Sequence, residues 1–183
     1  MENKRRFKIV ACVNNVLALG NEGKLLYRIP NDLANLKRMT INNVVIMGRK
    51  TFESLPQGLP LPNRINIILT RDESFCVDAS LSNVYIVHSI EDAYNLCEAQ
   101  FSHMDWFVLG GESIYSQFLE NDLVDEMYIT TVNDSSDGDA YFPNVMLSSN
   151  WKVIYQSDTM RSRKEQLSYN FSIHKRKRDF EVI

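Results

Sequence analysis

Val44-Val45-Ile46-Met47-Gly48-Arg49-Lys50-Thr51 is four apolar residues, a glycine, two cations and a hydroxyl. An apolar run this short, without polar alternation, suits a strand covered on both faces, as in a parallel sheet. The glycine turns the chain, and the residues after it open a helix whose first N–H groups attract anions. Ile65-Asn66-Ile67-Ile68-Leu69 repeats the pattern and ends in Thr70-Arg71. Phe107-Val108-Leu109 repeats it again and runs into Gly110-Gly111-Glu112-Ser113-Ile114-Tyr115. Read singly, each is equally an ordinary strand end: solvated cations at 49 and 50, an exposed charge at 71, a turn at the paired glycines. Ligands of open α/β sheets bind beyond the carboxyl ends of the strands, so these three ends are the candidate anion contacts. The dinucleotide fingerprint GxGxxG is absent, which excludes a standard Rossmann reading.

Outward from these runs, strands are expected at 7–13, 43–47, 65–70, 84–88, 105–109, 125–132, 151–157 and 167–175. Helices are expected at 31–40, 50–55, 90–99 and 112–119. Strand and helix alternate over the first two-thirds, and the last third is strands only. That order predicts a mostly parallel sheet with an antiparallel edge. No repeat or Gly/Ser-rich linker divides the 183 residues, so one domain is expected over 1–183.

The bulk composition narrows the classes. At 44% hydrophobic residues the chain can bury a core without disulfides or metal. Cys12, Cys76 and Cys97 are odd in number and lack CxxC spacing, which argues for reduced thiols, against a zinc site, and for the cytoplasm. No run is long enough to span a bilayer, and the N-terminus reads as a first strand rather than a signal peptide. Net charge is -3, yet residues 9–160 carry 9 basic and 19 acidic side chains and the two ends carry 11 and 4. The basic end, Lys175-Arg176-Lys177-Arg178, has no aromatic platform or DNA-reading motif beside it. It reads as a solvated tail rather than a nucleic-acid arm.

Tyr27-Arg28-Ile29-Pro30-Asn31-Asp32-Leu33-Ala34-Asn35-Leu36 opens the first helix. Asn31 is the expected N-cap after Pro30. Asp32 flanks the apolar face made by 29, 33 and 36. Taken alone it is a favourable charge in the first helical turn, complementing the helix dipole.

Seven segments in order resemble dihydrofolate reductase across nearly the whole chain. They are Ile29-Pro30-Asn31-Asp32-Leu33, the block from Val45 to Ser54, Leu61-Pro62-Asn63-Arg64, and Asn66-Ile67-Ile68-Leu69-Thr70-Arg71. Leu109 to Tyr115, Asp139-Ala140-Tyr141-Phe142-Pro143 and Tyr169-Asn170-Phe171 follow. The resemblance implies a central eight-stranded, mostly parallel sheet flanked by four helices, and NADPH-dependent reduction of dihydrofolate to tetrahydrofolate. It implies that Asp32 receives the pterin, that Thr130 hydrogen-bonds Asp32, and that Tyr27 stands near the catalytic water. Val10, Cys12, Leu33, Leu36, Leu55, Leu61, Leu109 and Tyr115 would line the substrate pocket, with Arg64 on the glutamate tail. Arg49, Thr70 and Arg71 would hold the adenosine phosphate that distinguishes NADPH from NADH. Cys12, Gly48, Lys50, Thr51, Leu69, Leu109, Gly110, Gly111, Glu112, Ser113, Ile114 and Tyr115 would run along the cofactor. A cis bond is implied at Gly110-Gly111, and Leu19, Gly20 and Asn21 belong to a mobile loop implied over 19–25. Dihydrofolate and antifolate inhibitors are the implied partners, without metal, nucleic acid or membrane, and a monomer is expected.

The chain departs from that family's pattern in four places. Leu26 and Tyr27 stand where proline and tryptophan are usual, Leu36 where an aromatic often sits, and Cys12 at a small-residue position. These changes bear on inhibitor affinity more than on reaction type. Three other readings are weighed. A riboflavin-pathway pyrimidine reductase on the same fold has no need of Asp32 with Arg64. A non-catalytic nucleotide module has no need of Asp32 with Thr130. A basic-tailed nucleic-acid binder predicts salt-sensitive DNA affinity.

Overall fold

The computed structural model describes residues 7–145 and 148–177. The expectations for the extreme N-terminus and for the basic tail beyond Lys177 therefore lie outside the described residues. The chain begins with strands β1 (Phe7–Asn14), β2 (Ala18–Asn21) and β3 (Lys24–Leu25), then helix α1 (Pro30–Thr40). Strand β4 (Val44–Gly48) passes directly into α2 (Arg49–Glu53), and a 3₁₀ turn follows at Pro56–Gly58. Next come β5 (Ile65–Leu69), β6 (Val84–Val87), α3 (Ile90–Gln100), β7 (Trp106–Val108) and α4 (Glu112–Glu120). The chain ends with β8 (Val124–Val132), β9 (Ala140–Tyr141), β10 (Trp151–Gln156), β11 (Met160–Arg161) and β12 (Ser168–Arg176).

Eight strands lie in the order β10-β12-β8-β1-β7-β4-β5-β6. From β8 to β6 every pairing is parallel. β12 and β10 add the antiparallel edge, with β11 beside β12. All eight expected strands and all four expected helices are present, with ends shifted by two residues at most.

The quoted run explains itself in three dimensions. Val44 to Met47 are fully buried, and their side chains alternate between the two faces. Val44 and Ile46 join Phe7, Ile9, Trp106 and Phe118 in a core covered by α3 and α4. Val45 and Met47 join Phe52, Ile68 and Phe107 in a second core, against which Met39 of α1, Val10, Leu55, Leu61 and Leu109 pack. A strand with helices on both sides has no solvent face to mark with polar residues. β1 splits the same way: Phe7, Ile9, Ala11 and Val13 face the first core, and Val10 and Cys12 face the opposite side.

Two local expectations need correction. Asn31 is not the N-cap. Ile29 is, with Pro30 in the first turn, where its missing N–H costs nothing. The Asn31 amide instead donates to the Tyr169 hydroxyl at 3.2 Å. The segment 19–25, expected as a mobile loop, is built as a hairpin. β2 pairs with β3 and β9 in a second small sheet. Glu22 and Gly23 both have positive φ at its tip, as a two-residue hairpin turn requires.

Phe118 is fully buried and stacks edge-on to Phe7 at 4.8 Å. Phe118→Ala should cost about 3–5 kcal/mol by denaturant unfolding. Ser89→Ala, which removes the cap to the Asp92 N–H at 3.0 Å, should cost about 1 kcal/mol.

Candidate active site

The carboxyl ends of β1, β4, β5, β7 and β8 share one edge of the sheet because those strands are parallel. Cys12 and Thr130 sit side by side there, in register across β1 and β8. α1 crosses above them and sets Asp32 against Thr130, whose hydroxyl donates a short hydrogen bond to Asp32 Oδ1. Thr130 is 2% exposed and Asp32 is half-buried. Burial pushes the Asp32 carboxyl above its usual range, and the Thr130 hydrogen bond only partly opposes that. The Cys12 thiol is driven up as well, by its own burial and then by the charge of Asp32, so it stays protonated. Cys12 is a small, half-buried side chain whose thiol is kept from the reactive thiolate form.

Val10, Leu55, Leu61 and Leu109 are half-buried against the second core. Leu36 is half-buried on α1, and Leu33 is 39% exposed beside Asp32. A half-buried leucine is what a flat apolar ligand covers. Arg64 is 7% exposed. Its Nε donates to the Pro62 carbonyl at 3.0 Å and its Nη1 to the Thr40 hydroxyl at 3.1 Å. Thr40 closes α1, 24 residues earlier, so no local pattern marks it as the partner of Arg64. Arg64 also lines a cavity of about 410 Å³ with Asn42, Asn63, Ile65, Asn83 and Met104, away from Asp32 at the amino ends of the strands.

The second half of the site is built from glycines. The Gly48 N–H donates to the Gly110 carbonyl at 2.8 Å, which ties the ends of β4 and β7 together. The Gly110-Gly111 peptide is cis, and Gly110 has φ +103°. A Cβ there would lie 2.9 Å from the Tyr115 ring, and one on Gly111 would lie 3.5 Å from the Thr51 hydroxyl. A side chain at 110 would therefore collide with Tyr115, and one at 111 would lie in contact with Thr51. Tyr115 is buried and donates its hydroxyl to the Val10 carbonyl at 2.8 Å, linking this half to the Asp32 half. Gly111 is the N-cap of α4 and makes no side-chain cap, whereas Ser89 caps α3 away from the site. The first N–H groups of α4 are left for a ligand. Glu112 turns away to accept from the Tyr141 N–H at 3.1 Å, and Ile114 packs into the first core. Ser113 is exposed.

The cations follow at the ends of β4 and β5. Arg49 Nη1 pairs with Asp72 Oδ2 at 2.8 Å, Lys50 and Arg71 are exposed, and Thr70 is buried beside Leu69. Helix N–H groups without a side-chain cap, glycines that bring the backbone close, and three cations suit a phosphate-bearing dinucleotide. Leu19 is buried in the first core, and Gly20 and Asn21 pair with β3. The Glu22 N–H donates to Asp139 Oδ2 at 2.9 Å.

Tyr27 is brought close but not aimed as expected. Its hydroxyl donates to Asp134 Oδ2 at 2.5 Å and accepts from Asn14 Nδ2 at 3.1 Å. Burial first, then the Asp134 hydrogen bond, pushes the phenol up to about 12. The Ser136 hydroxyl, followed by Tyr27, holds the Asp134 carboxyl down at about 2. By donating this hydrogen bond to Asp134, the hydroxyl anchors the turn after β8. Asn14 and Asp134 are absent from the sequence reading because neither carried a recognisable spacing.

A family model described as dihydrofolate reductase matches residues 6–176. The dihydrofolate reductase of Staphylococcus aureus is 37% identical over 153 residues, 84% of this chain and 87% of that one. The Staphylococcus haemolyticus enzyme is 33% identical over 171 residues, 93% of this chain and 96% of that one. The dihydrofolate reductase of Enterococcus faecalis, solved in complex with NADP(H) and RAB-propyl, has a TM-score of 0.82. It is 25% identical and covers 96% of this chain and 98% of that chain.

The raised Asp32 carboxyl has a consequence for stability. Between the ordinary carboxylate range and its folded value, the native state binds more protons than the unfolded chain, so stability falls as pH rises through that window. Asp32→Asn keeps an acceptor for Thr130 and removes the charge. Its melting temperature should exceed that of the parent at pH 7, and the gap should close as pH drops through the folded value. A scan of melting temperature against pH that shows no gap at pH 7 would contradict the burial argument.

Proposed function

The chain belongs to the dihydrofolate reductase family and is an NADPH-dependent oxidoreductase that reduces 7,8-dihydrofolate to 5,6,7,8-tetrahydrofolate, and we propose that its chemistry turns on Asp32. The riboflavin-pathway pyrimidine reductase is not favoured, since the matching family model and relatives are dihydrofolate reductases. The observation that carries the Asp32 assignment is a half-buried carboxylate in an apolar pocket with one hydroxyl as its hydrogen-bond partner.

When bound, NADPH supplies the hydride that reduces the substrate's imine bond. Gly48, Thr51, Gly110, Gly111 and the start of α4 would hold it by backbone and hydroxyl contacts, and Arg49, Thr70 and Arg71 would take its ribose phosphate. Val10, Cys12, Leu109 and Tyr115 stand between the two halves of the site. Asp32 accepts hydrogen bonds from the pterin's amide and amino groups. Its charge, little screened in an apolar pocket, raises the proton affinity of the ring nitrogen next to the reduced carbon. A protonated imine is the better hydride acceptor. Water carries the proton, and the β2–β3 hairpin shields the reacting centre from other solvent. Thr130 fixes the carboxylate's orientation. Leu33, Leu36, Leu55 and Leu61 cover the aminobenzoyl ring, and Arg64 presents its guanidinium to the glutamate carboxylate.

We further propose one domain acting as a monomer in the cytoplasm, with antifolates competing for the pterin pocket and no nucleic-acid partner. Among the described residues no helix is long and apolar enough to cross a membrane.

Two outcomes test the assignments. Asp32→Asn should lower turnover at pH 7 by roughly 10²-fold or more, with partial recovery in acid, where the substrate is already protonated. Following NADPH oxidation by absorbance measures this, and undiminished neutral turnover sinks the role of Asp32. The double variant Arg49→Ala with Arg71→Ala should weaken NADPH far more than NADH in equilibrium titrations. Equal losses would remove the phosphate clamp.

A further inference from the structure

Asp72 lies three residues past the end of β5, among the groups assigned to the ribose phosphate. Its Oδ2 accepts from Arg49 Nη1 at 2.8 Å. Its Oδ1 accepts from the Ser74 N–H at 3.0 Å and the Ser74 hydroxyl at 2.6 Å. Its own N–H donates to the Thr70 hydroxyl at 3.2 Å. Both carboxylate oxygens are thus fixed by donors. Ser74 above all, with Arg49 adding, holds the carboxyl below its usual range, so it is charged at neutral pH.

Arg49 is correspondingly engaged. Asp72 takes one end of the guanidinium, and Glu53 lies 3.8 Å from Nε on the other side. The Phe75 ring sits 5.9 Å from the guanidinium carbon. A dianionic phosphate arriving at Arg49 must displace Asp72 or settle beside a carboxylate that Ser74 holds in place. A cofactor with a ribose hydroxyl there meets no such repulsion. Arg71 is exposed and makes no ion pair among the described residues, so its charge is the part that Asp72 leaves available.

We propose that Asp72 is a specificity-determining residue of the cofactor site: it occupies Arg49, competes with the ribose phosphate, and so holds down this chain's preference for NADPH over NADH. The proposal rests on the assignment of Arg49 to that phosphate. Asp72 lies outside both cores, on a loop, so neutral replacements leave the fold intact.

Equilibrium titration of the parent chain, Asp72→Asn, Asp72→Ala and Arg49→Ala with NADPH and with NADH decides it. Both Asp72 variants should bind NADPH about three- to tenfold more tightly and NADH within about twofold of the parent, the gain shrinking at high salt. Weaker NADPH binding in both would mean that Asp72 orients Arg49 for the phosphate, which overturns the proposal. No change, or the same shift for both cofactors, overturns it too. Arg49→Ala separates the premises. A selective loss of NADPH there, with no gain at Asp72, defeats only the competition. No selective loss defeats the phosphate assignment itself.

Discussion

A carboxylate leaning on a hydroxyl is the constraint around which this molecule is arranged. Asp32 is drawn out of water by α1, and Thr130 is its hydrogen-bond partner in the protein. A buried charge with so little compensation is destabilising. It persists because neighbouring β1 and β8 present Cys12 and Thr130 beneath it, and because the apolar residues around it are short of full burial. The cost to the fold and the use to the reaction have one cause. Poor solvation of the carboxylate leaves its field strong at the place where a proton must be held.

The sheet distributes opposite electrostatics along one edge. At the α1 end stands a carboxylate in an apolar wall. At the α2 and α4 end stand cations and uncapped N–H groups, joined to the first end by the Tyr115 hydroxyl on the Val10 carbonyl. Neither end is a simple point charge. Arg64 is fixed by a backbone carbonyl and Thr40 before any ligand reaches it. Arg49 is already neutralised by Asp72 and flanked by Glu53. Preorganised cations bind planar anions with less ordering of side chains, and acidic neighbours set how strongly.

The phenol of Tyr27 serves the turn after β8 and the end of β1. The hydroxyl reaches Asp134 and Asn14, and Asn14 also accepts from the Ala18 N–H at 2.9 Å and donates to the Ser136 carbonyl at 2.7 Å. One buried asparagine therefore joins the end of β1, the start of β2, Tyr27 two residues past β3, and the turn after β8.

Much was legible from the chain alone. The apolar runs at β4 and β5 announced central strands because burial on both faces removes polar alternation. Glycine, threonine and arginine after those strands marked the ligand edge because parallel strands all end on the same side. Asp32 and Thr130 entered through family resemblance, since 98 positions separate them in sequence. The small strands β2, β3, β9 and β11 escaped because two to four residues are too few to show a period. What only the tertiary structure decided was pairing. It gave Arg49 to Asp72, Arg64 to Thr40, and the Tyr27 hydroxyl to Asp134 rather than to the catalytic pocket. Local sequence fixes which way a side chain leaves its strand or helix, but its partner is set by how distant elements are brought together.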